Sequence, residues 1–389
     1  MTDLKETQIT PQEPKAPLAS RVTSIDALRG FDMFWIIGGW YIFDGLHKAL
    51  NNPTTTSIMN QLKHVEWEGF VFEDLIMPLF LFIVGVVMPF SFNKRLSRGD
   101  SKKKLYIHII LRTVILFILG MIAQGNLLAI DPSKLKIYCN TLQAIAAGYL
   151  ISAIIILNMR LRRQIVTTAF LLLLFWALMM LVPFPGRVAD RLDQNANLAA
   201  YIDWYVLDQF DDGLNYTWIL SSMTFACTVM LGVMAGHLLC SQIEDYRKVY
   251  ILAALGIGTL AIGSLWGGWF FGIGKFYTGL FPIIKRLWTS SFVLFSAGLS
   301  YLLLAVFYLV IDVWGFKKWA YCFVVIGTNA IFVYMLTHMV NFRSVAGRFV
   351  YGLDQFVGPW KDFIHAVAAF ALVWLILFWM YRKKSFIKV

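Results

Sequence analysis

Charge is scarce in this sequence. Asp, Glu, Lys and Arg make up 15% of its 389 residues, and 59% are hydrophobic. A soluble domain cannot hide that much apolar surface, so a water-borne globule is excluded and the bilayer becomes the solvent. Cysteine is scarcer still: Cys139, Cys227, Cys240 and Cys322 lie singly in or beside apolar runs, without the paired spacing of a disulfide framework or a metal site. They read as small apolar side chains, and no metal is expected. A basic domain is also missing. The net charge of +11 is scattered over short loops that could not hold a duplex, which excludes nucleic acid as a partner. The first 20 residues contain no apolar segment, so no cleaved signal peptide is expected. No internal repeat relates the two halves.

Long apolar runs are abundant. Ten approach the length needed to cross ~30 Å of hydrocarbon: 30–46, 70–92, 105–124, 140–157, 165–183, 219–240, 249–271, 290–313, 319–340 and 363–381. The expected fold is therefore all-α, a polytopic integral membrane protein of about ten transmembrane helices. Residues 1–20, with Pro11, Pro14 and Pro17, read as a flexible cytosolic tail, and 21–389 as a single transmembrane domain. Most basic residues fall in segments on one side, among them Lys94, Arg95, Arg98, Lys102 to Lys104, Arg160 to Arg163 and Arg382 to Lys384, whereas the long loop 183–218 is acidic. The positive-inside rule then places both termini in the cytosol and the loop outside. Glycines four apart, Gly232 with Gly236, Gly263 with Gly267 and Gly268 with Gly272, read as close helix contacts.

The few charges inside apolar runs are informative, because they are costly in hydrocarbon and normally face a cavity or a partner. Asp26 and Arg29 are three residues apart and share a helix face. Arg29, together with the basic loop 94–104, is a candidate for a polyanionic cytosolic ligand, since guanidinium binds phosphate through two parallel bonds. Asp32 lies deeper and needs a partner of its own, for which Arg112 is a candidate. Gln143, Asn140, Asn329 and His338 add polar groups to later runs and suggest a wet interior.

The densest constellation is Lys63-His64-Val65-Glu66-Trp67-Glu68-Gly69, followed by an apolar run broken early by Glu73-Asp74. With cytosolic termini, His64 stands at the outer mouth of this acid-bearing span. A ring titrating near neutral pH beside buried carboxylates is a candidate proton-transfer or acyl-accepting centre. Glu73 or Asp74 could hold one ring nitrogen if folding brings them close, and His338, placed near the outer face, could share the cavity.

Several of these residues fall into an ordered set of motifs: Ser24-Ile25-Asp26-x-x-Arg29-Gly30, then Lys63-His64-x-x-Trp67-x-Gly69, then Asp74-Leu75-x-x-Pro78 running into Phe82-Ile83-x-Gly85. Leu142-Gln143 with Tyr149, Gly327-x-Asn329 with Val333-Tyr334, and Tyr381-Arg382-Lys383-Lys384-x-Phe386 continue the set. Together they resemble the transmembrane core of the heparan-alpha-glucosaminide N-acetyltransferase family over nearly all of residues 20–389. The resemblance implies transfer of an acetyl group from cytosolic acetyl-CoA to an amino sugar across the membrane, with the family's active-site histidine at His64. The chain departs from the pattern at Cys139-Asn140-Thr141-Leu142-Gln143-Ala144 and at Trp40, and is expected to be a bacterial inner-membrane member without the luminal domain.

On this reading His64, Asp74 and Glu73 are the catalytic candidates. Arg29, Asp26, Arg112, Gln143 and Asn329 would bind the acetyl-CoA co-substrate, and Asp32, Asn140 and His338 the acceptor. Expected partners are acetyl-CoA, an amino-sugar or glycan acceptor, membrane lipid and, in a homo-oligomer, further copies of the chain. His64 could deprotonate the attacking amine or carry the acetyl group itself. The alternative function is a secondary transporter of a small polar or sugar substrate, to which ten spans and buried acids are equally natural, although inverted repeats and interrupted half-helices are not evident.

Overall fold

The computed structural model describes residues 22–185, 191–194, 196–213, 216–270, 274–275 and 277–387. The expected tail, 1–20, lies outside the described residues, as do Arg187 and Asp190 of the acidic loop and Gly272. The chain forms α1 (Thr23–Phe34), α2 (Trp40–Leu50), α3 (Pro53–Gln61), α4 (Ile76–Ser97), α5 (Lys102–Ala123), α6 (Thr141–Asn158), α7 (Leu161–Leu181) and α8 (Leu198–Leu207). After these come α9 (Ser222–Cys240), α10 (Asp245–Gly267), α11 (Ser290–Tyr308), α12 (Tyr321–Gly327), α13 (Ala330–Met339), α14 (Phe342–Val350), α15 (Asp354–Val357) and α16 (Lys361–Arg382). A two-residue antiparallel ribbon, Trp269–Phe270 against Gly274–Lys275, follows α10. The all-α membrane fold is as expected.

Eight helices among the described residues are long and apolar enough to cross a bilayer, or nine if the bent pair α12 and α13 is one span. Two expected spans are not single helices. The run 30–46 is split between α1 and α2 by a wide π-type turn, Trp35–Gly39, in which Gly38 takes φ 144°, a conformation open to glycine because it lacks a Cβ. The run 319–340 breaks at Thr328 and Asn329, where α12 and α13 meet at 75°. Apolar residues continue on both sides of that break, so hydropathy does not reveal it.

The bundle has a buried centre and a lipid-facing rim. The apolar windows of α4, α9 and α11 are 67–72% buried, against 22–28% for α5, α7 and α10. Glycine sets the closeness of the centre: a Cβ at Gly85 would lie 1.9 Å from the Val229 carbonyl oxygen, at Gly232 2.0 Å from that of Phe82, and at Gly236 2.3 Å from that of Val86. The expected contact at Gly232 and Gly236 is thus α4 laid against α9, backbone to backbone. In the same way Gly30 and Gly327 press α1 onto the end of α12, which puts Arg29 beside the broken span.

One end of the bundle gathers the start of α1, the end of α16 and the basic loops. The Thr23 and Ser24 amides donate to Asp312 past the end of α11. Asn158 donates to the Tyr106 hydroxyl, and Tyr308 to Asp245, which joins the 97–102, 158–161 and 240–245 connections to that end. The opposite end carries His64, α8 and the loop between α10 and α11.

Candidate functional site

The segment between α3 and α4 is irregular but tied down at nearly every step. Asn52 caps α3 in a reciprocal box with Thr55, behind Pro53 in the first turn. Past Gln61 the chain leaves the helix, and the Leu62 carbonyl accepts from the Trp40 indole at 3.0 Å. The Trp67 indole donates to the Leu192 carbonyl, and the Gly69 amide to the Ile283 carbonyl at 2.9 Å. Phe70 is driven into the core against Phe292 and Phe295. His64 hangs between these anchors with its side chain 47% exposed.

Asp74 lies in the tight turn Phe72–Leu75 that leads into α4, and its side chain reaches back to the residue before that turn. Its Oδ2 accepts the Val71 amide at 3.2 Å, while the Asp74 amide returns to the Val71 carbonyl. Its Oδ1 is 2.8 Å from His64 Nδ1 and 3.2 Å from Lys285 Nζ, and that ammonium is also 3.2 Å from Nδ1. Asp74 is 1% exposed. An ionised carboxylate can only accept, so Nδ1 must donate to it, and the lone pair of the neutral ring is then on Nε2. Of the two expected carboxylates, Asp74 makes the ring contact. Glu73 stands beside it, close enough to interact with Lys285, and its Oε2 has no hydrogen-bond partner.

Lys285 is the residue that sequence reading missed. It counted as one more loop cation, yet its side chain is 10% exposed. The signal available was its setting, Phe281-Pro282-Ile283-Ile284 before it and Leu287-Trp288 two residues after, too apolar for a solvated turn.

A second centre lies at the far end of α4. Arg29, Arg95, His108 and Arg112 surround a cavity of about 570 Å³ that Asp26, Tyr149, Thr328, Ile331 and the C-terminal Phe386 and Ile387 also line. Arg95 donates to His108 Nε2 at 2.9 Å, Arg112 lies over the Tyr149 ring at 4.5 Å, and Arg112 Nε is buried without a partner. Asp26 and Arg29 do share a face, at 3.7 Å. The break in the span contributes as well, because the first turn of α13 begins at this wall, and helix N-termini favour anions. The cavity runs along α4 from Arg95 to Phe80. Phe80 is six residues from Asp74, or ~9 Å along the helix, whereas Arg95 is ~30 Å away.

The remaining expected site residues fall elsewhere. Asp32 is fully buried, and among the described residues neither carboxylate oxygen has a partner and no ion pair joins it to Arg112, because Arg112 turns onto Tyr149. Asn140 caps α6, accepting the Leu142 and Gln143 amides, and donates to the Gly120 carbonyl. Gln143 accepts the Cys139 amide and donates to the Ile137 carbonyl. Asn329 clamps the C-terminal segment by donating to the Ser385 carbonyl and accepting the Ile387 amide. His338 stacks on Tyr334 and lines a different cavity, about 820 Å³, with Tyr41, Arg343, Asp362 and His365. His64 is not in that lining, so the shared cavity expected for the two histidines does not form. A further opening, about 800 Å³, is bounded by Gln61, Leu62, Val71 and Phe72, which flank His64 and Asp74 in the chain, and by Trp35 and Trp269.

No protein-family model matches the chain. Heparan-alpha-glucosaminide N-acetyltransferase of Homo sapiens is 25% identical to it over 434 residues, covering 96% of this chain and 60% of the human protein. The Mus musculus protein of the same name is 23% identical over 438 residues, covering 97% of this chain and 62% of the mouse protein. The chain therefore spans about three-fifths of the length of the curated relatives it matches. The resemblance seen in the motifs holds along nearly the whole sequence: this integral membrane chain is similar to the heparan-alpha-glucosaminide N-acetyltransferases.

Proposed function

We propose that the protein is a transmembrane acetyltransferase that takes acetyl-CoA at the cationic cavity and delivers the acetyl group to an amine of an amino sugar or related glycan at His64. The observation that carries this reading is the placement of the two centres on one helix. A cavity lined by four basic side chains and a helix N-terminus suits a phosphate-bearing ligand. Its Phe80 end lies ~9 Å along the helix from Asp74, the buried carboxylate that holds His64 Nδ1.

The chemistry follows from Nε2. A thioester is attacked by an unprotonated amine, and a neutral imidazole can accept the proton that the amine loses as the C–N bond forms and the C–S bond breaks. The same lone pair could instead attack the thioester, release the thiol and pass the acetyl group on in a second step. The opening beside Trp35 and Trp269 is the proposed acceptor entrance. The proposed orientation puts the termini and the cationic cavity in the cytosol, supported by the basic loops that surround them, and a bacterial inner membrane is the proposed location.

One feature favours the transporter as a second reading, namely the interrupted span α12 and α13, since half-helices facing a cavity are common in such proteins. A single experiment separates the two. In proteoliposomes oriented by an impermeant maleimide at Asp208→Cys, acetyl-labelled coenzyme A is supplied on the side of the termini and a panel of amino sugars on the other. Labelled product on the Asp208 side is expected. Uptake of a sugar without acetyl transfer would replace this reading with the transporter.

A further inference from the structure

We infer that Lys285 is a positioning residue of the His64 centre: it balances the Asp74 carboxylate that holds the ring and so keeps His64 in its neutral, proton-accepting form. The inference rests on the acyl-transfer reading for its purpose and on geometry for its substance. The loop between α10 and α11 is built to aim this side chain. Its backbone pairs with the His64 segment through Glu68 and Ile284 and through the Gly69 amide. Thr289 ties the turn internally by accepting the Ile284 amide and donating to the Pro282 carbonyl. The Arg286 and Leu287 carbonyls accept from Thr217 and Ser221, which lead into α9. A buried lysine delivered by a loop fixed on three sides, with its ammonium 3.2 Å from both Asp74 Oδ1 and His64 Nδ1, is not a solvated surface cation.

The charges facing the ring decide its state. Asp74 and Glu73 approach from the turn before α4 and Lys285 from its loop; Lys63 and Glu66 flank the ring on its own segment, and Glu68 is engaged by Lys275 at 2.9 Å. With Lys285 present, the Asp74 carboxylate on Nδ1 faces a compensating ammonium 3.2 Å away. Without it that carboxylate would act on the ring alone, at a partly desolvated site, and the imidazolium would be held against release of its proton. A ring that stays protonated can neither accept a proton from the amine nor attack the thioester.

The test does not depend on turnover. Diethyl pyrocarbonate acylates only the neutral imidazole, and His64 is exposed enough to react. The rate of His64 modification, followed by mass spectrometry of its peptide, is measured against pH in the full-length protein. In Lys285→Met the midpoint should move to higher pH by about one unit or more, and Lys285→Arg should restore the wild-type midpoint. Lys285→Gln, which keeps a polar tip, should move it in the same direction, which keeps the inference testable even if Lys285→Met fails to fold. Superimposed profiles for wild type, Lys285→Met and Lys285→Gln would overturn the assignment. Shifted profiles in a protein that acetylates no amine would leave Lys285 in place and remove the acyl-transfer reading alone.

Discussion

The two ends of α4 hold charge in opposite ways. At the Asp74 end every contact is short: 2.8 Å from carboxylate to imidazole, 3.2 Å from ammonium to carboxylate, and a backbone amide on the second oxygen. At the Arg95 end Arg29 lies 3.7 Å from Asp26 and Arg95 3.8 Å from Asp100, a carboxylate that Lys104 holds at 2.6 Å, and Arg112 rests on an aromatic face. A cluster saturated with internal partners holds one ring in one orientation, which bond-making requires. At the cavity Arg112 keeps a buried Nε that has no hydrogen-bond partner among the described residues, a donor open to an anion from outside. One helix thus joins a centre organised for chemistry to one organised for binding.

The largest effect that could break this division is at His64. His64→Ala should lower acetyl transfer on the order of 10² to 10⁴ fold while leaving coenzyme A affinity unchanged and stability within about 1 kcal/mol, because the ring is half exposed and its loop is anchored elsewhere. Asp74→Asn should be partly impaired in transfer and more damaging to stability, since it leaves Lys285 as a buried cation without its carboxylate. Near-normal turnover in His64→Ala, measured with any acceptor the wild type uses, would remove the chemical centre from this end of the helix.

A smaller effect is expected at the binding end. Arg112→Ala should weaken coenzyme A binding, measured by calorimetry, by about tenfold or more, the usual loss for a charge-assisted hydrogen bond. Arg112→Lys should not restore it, because an ammonium neither stacks flat on Tyr149 nor presents two parallel donors. Added salt should weaken the wild type further to the extent that the cavity is open to solvent. Affinity that is unchanged in the alanine variant would show that the phosphates sit elsewhere.

A carboxylate partner for His64 was legible because Glu73 and Asp74 lie within eleven residues of it at the start of one apolar run; which of the two it is only the fold decides. Asp26 with Arg29 was legible from helical spacing alone. Lys285 was not, since 221 positions separate it from His64 and only the folded loop between α10 and α11 closes that distance. Asn140 and Gln143 carry a role that hydropathy alone does not suggest. Inside a membrane the free amides at a helix start have no water to turn to, and these two side chains accept the Leu142, Gln143 and Cys139 amides there. The same local rule, an Asn immediately before a helical run, would have identified Asn140 as a cap. Hydropathy counted the spans nearly correctly and was blind to the break at Thr328 and Asn329, which is marked by direction and not by polarity.

The smallest effect sharpens the comparison within the His64 end itself, where a second buried carboxylate has no cation partner among the described residues. Asp203, on α8, accepts the Trp218 amide at 2.6 Å and the Ile219 amide at 2.9 Å, so it fastens the acidic loop to the entry of α9. Burial pushes its carboxyl up to about 7, against the lowering effect of those two amides and with Asp211 and Asp212 adding to the rise. An ordinary Asp in the unfolded chain titrates near 3.9. Between about pH 4 and pH 7 the folded protein therefore retains a proton that the unfolded chain has lost, so this group's contribution to stability is greatest below that window and declines as pH rises through it. Asp203→Asn cannot titrate and keeps one of the two acceptors. Thermal unfolding in detergent should show a flatter dependence on pH from about 4 to 7 in the variant, with acetyl transfer at neutral pH changed far less than in Asp74→Asn. Parallel pH profiles for wild type and variant would mean that Asp203 is ionised throughout, and a loss of transfer matching that of Asp74→Asn would mean that the chemistry at this end extends beyond the cluster around His64.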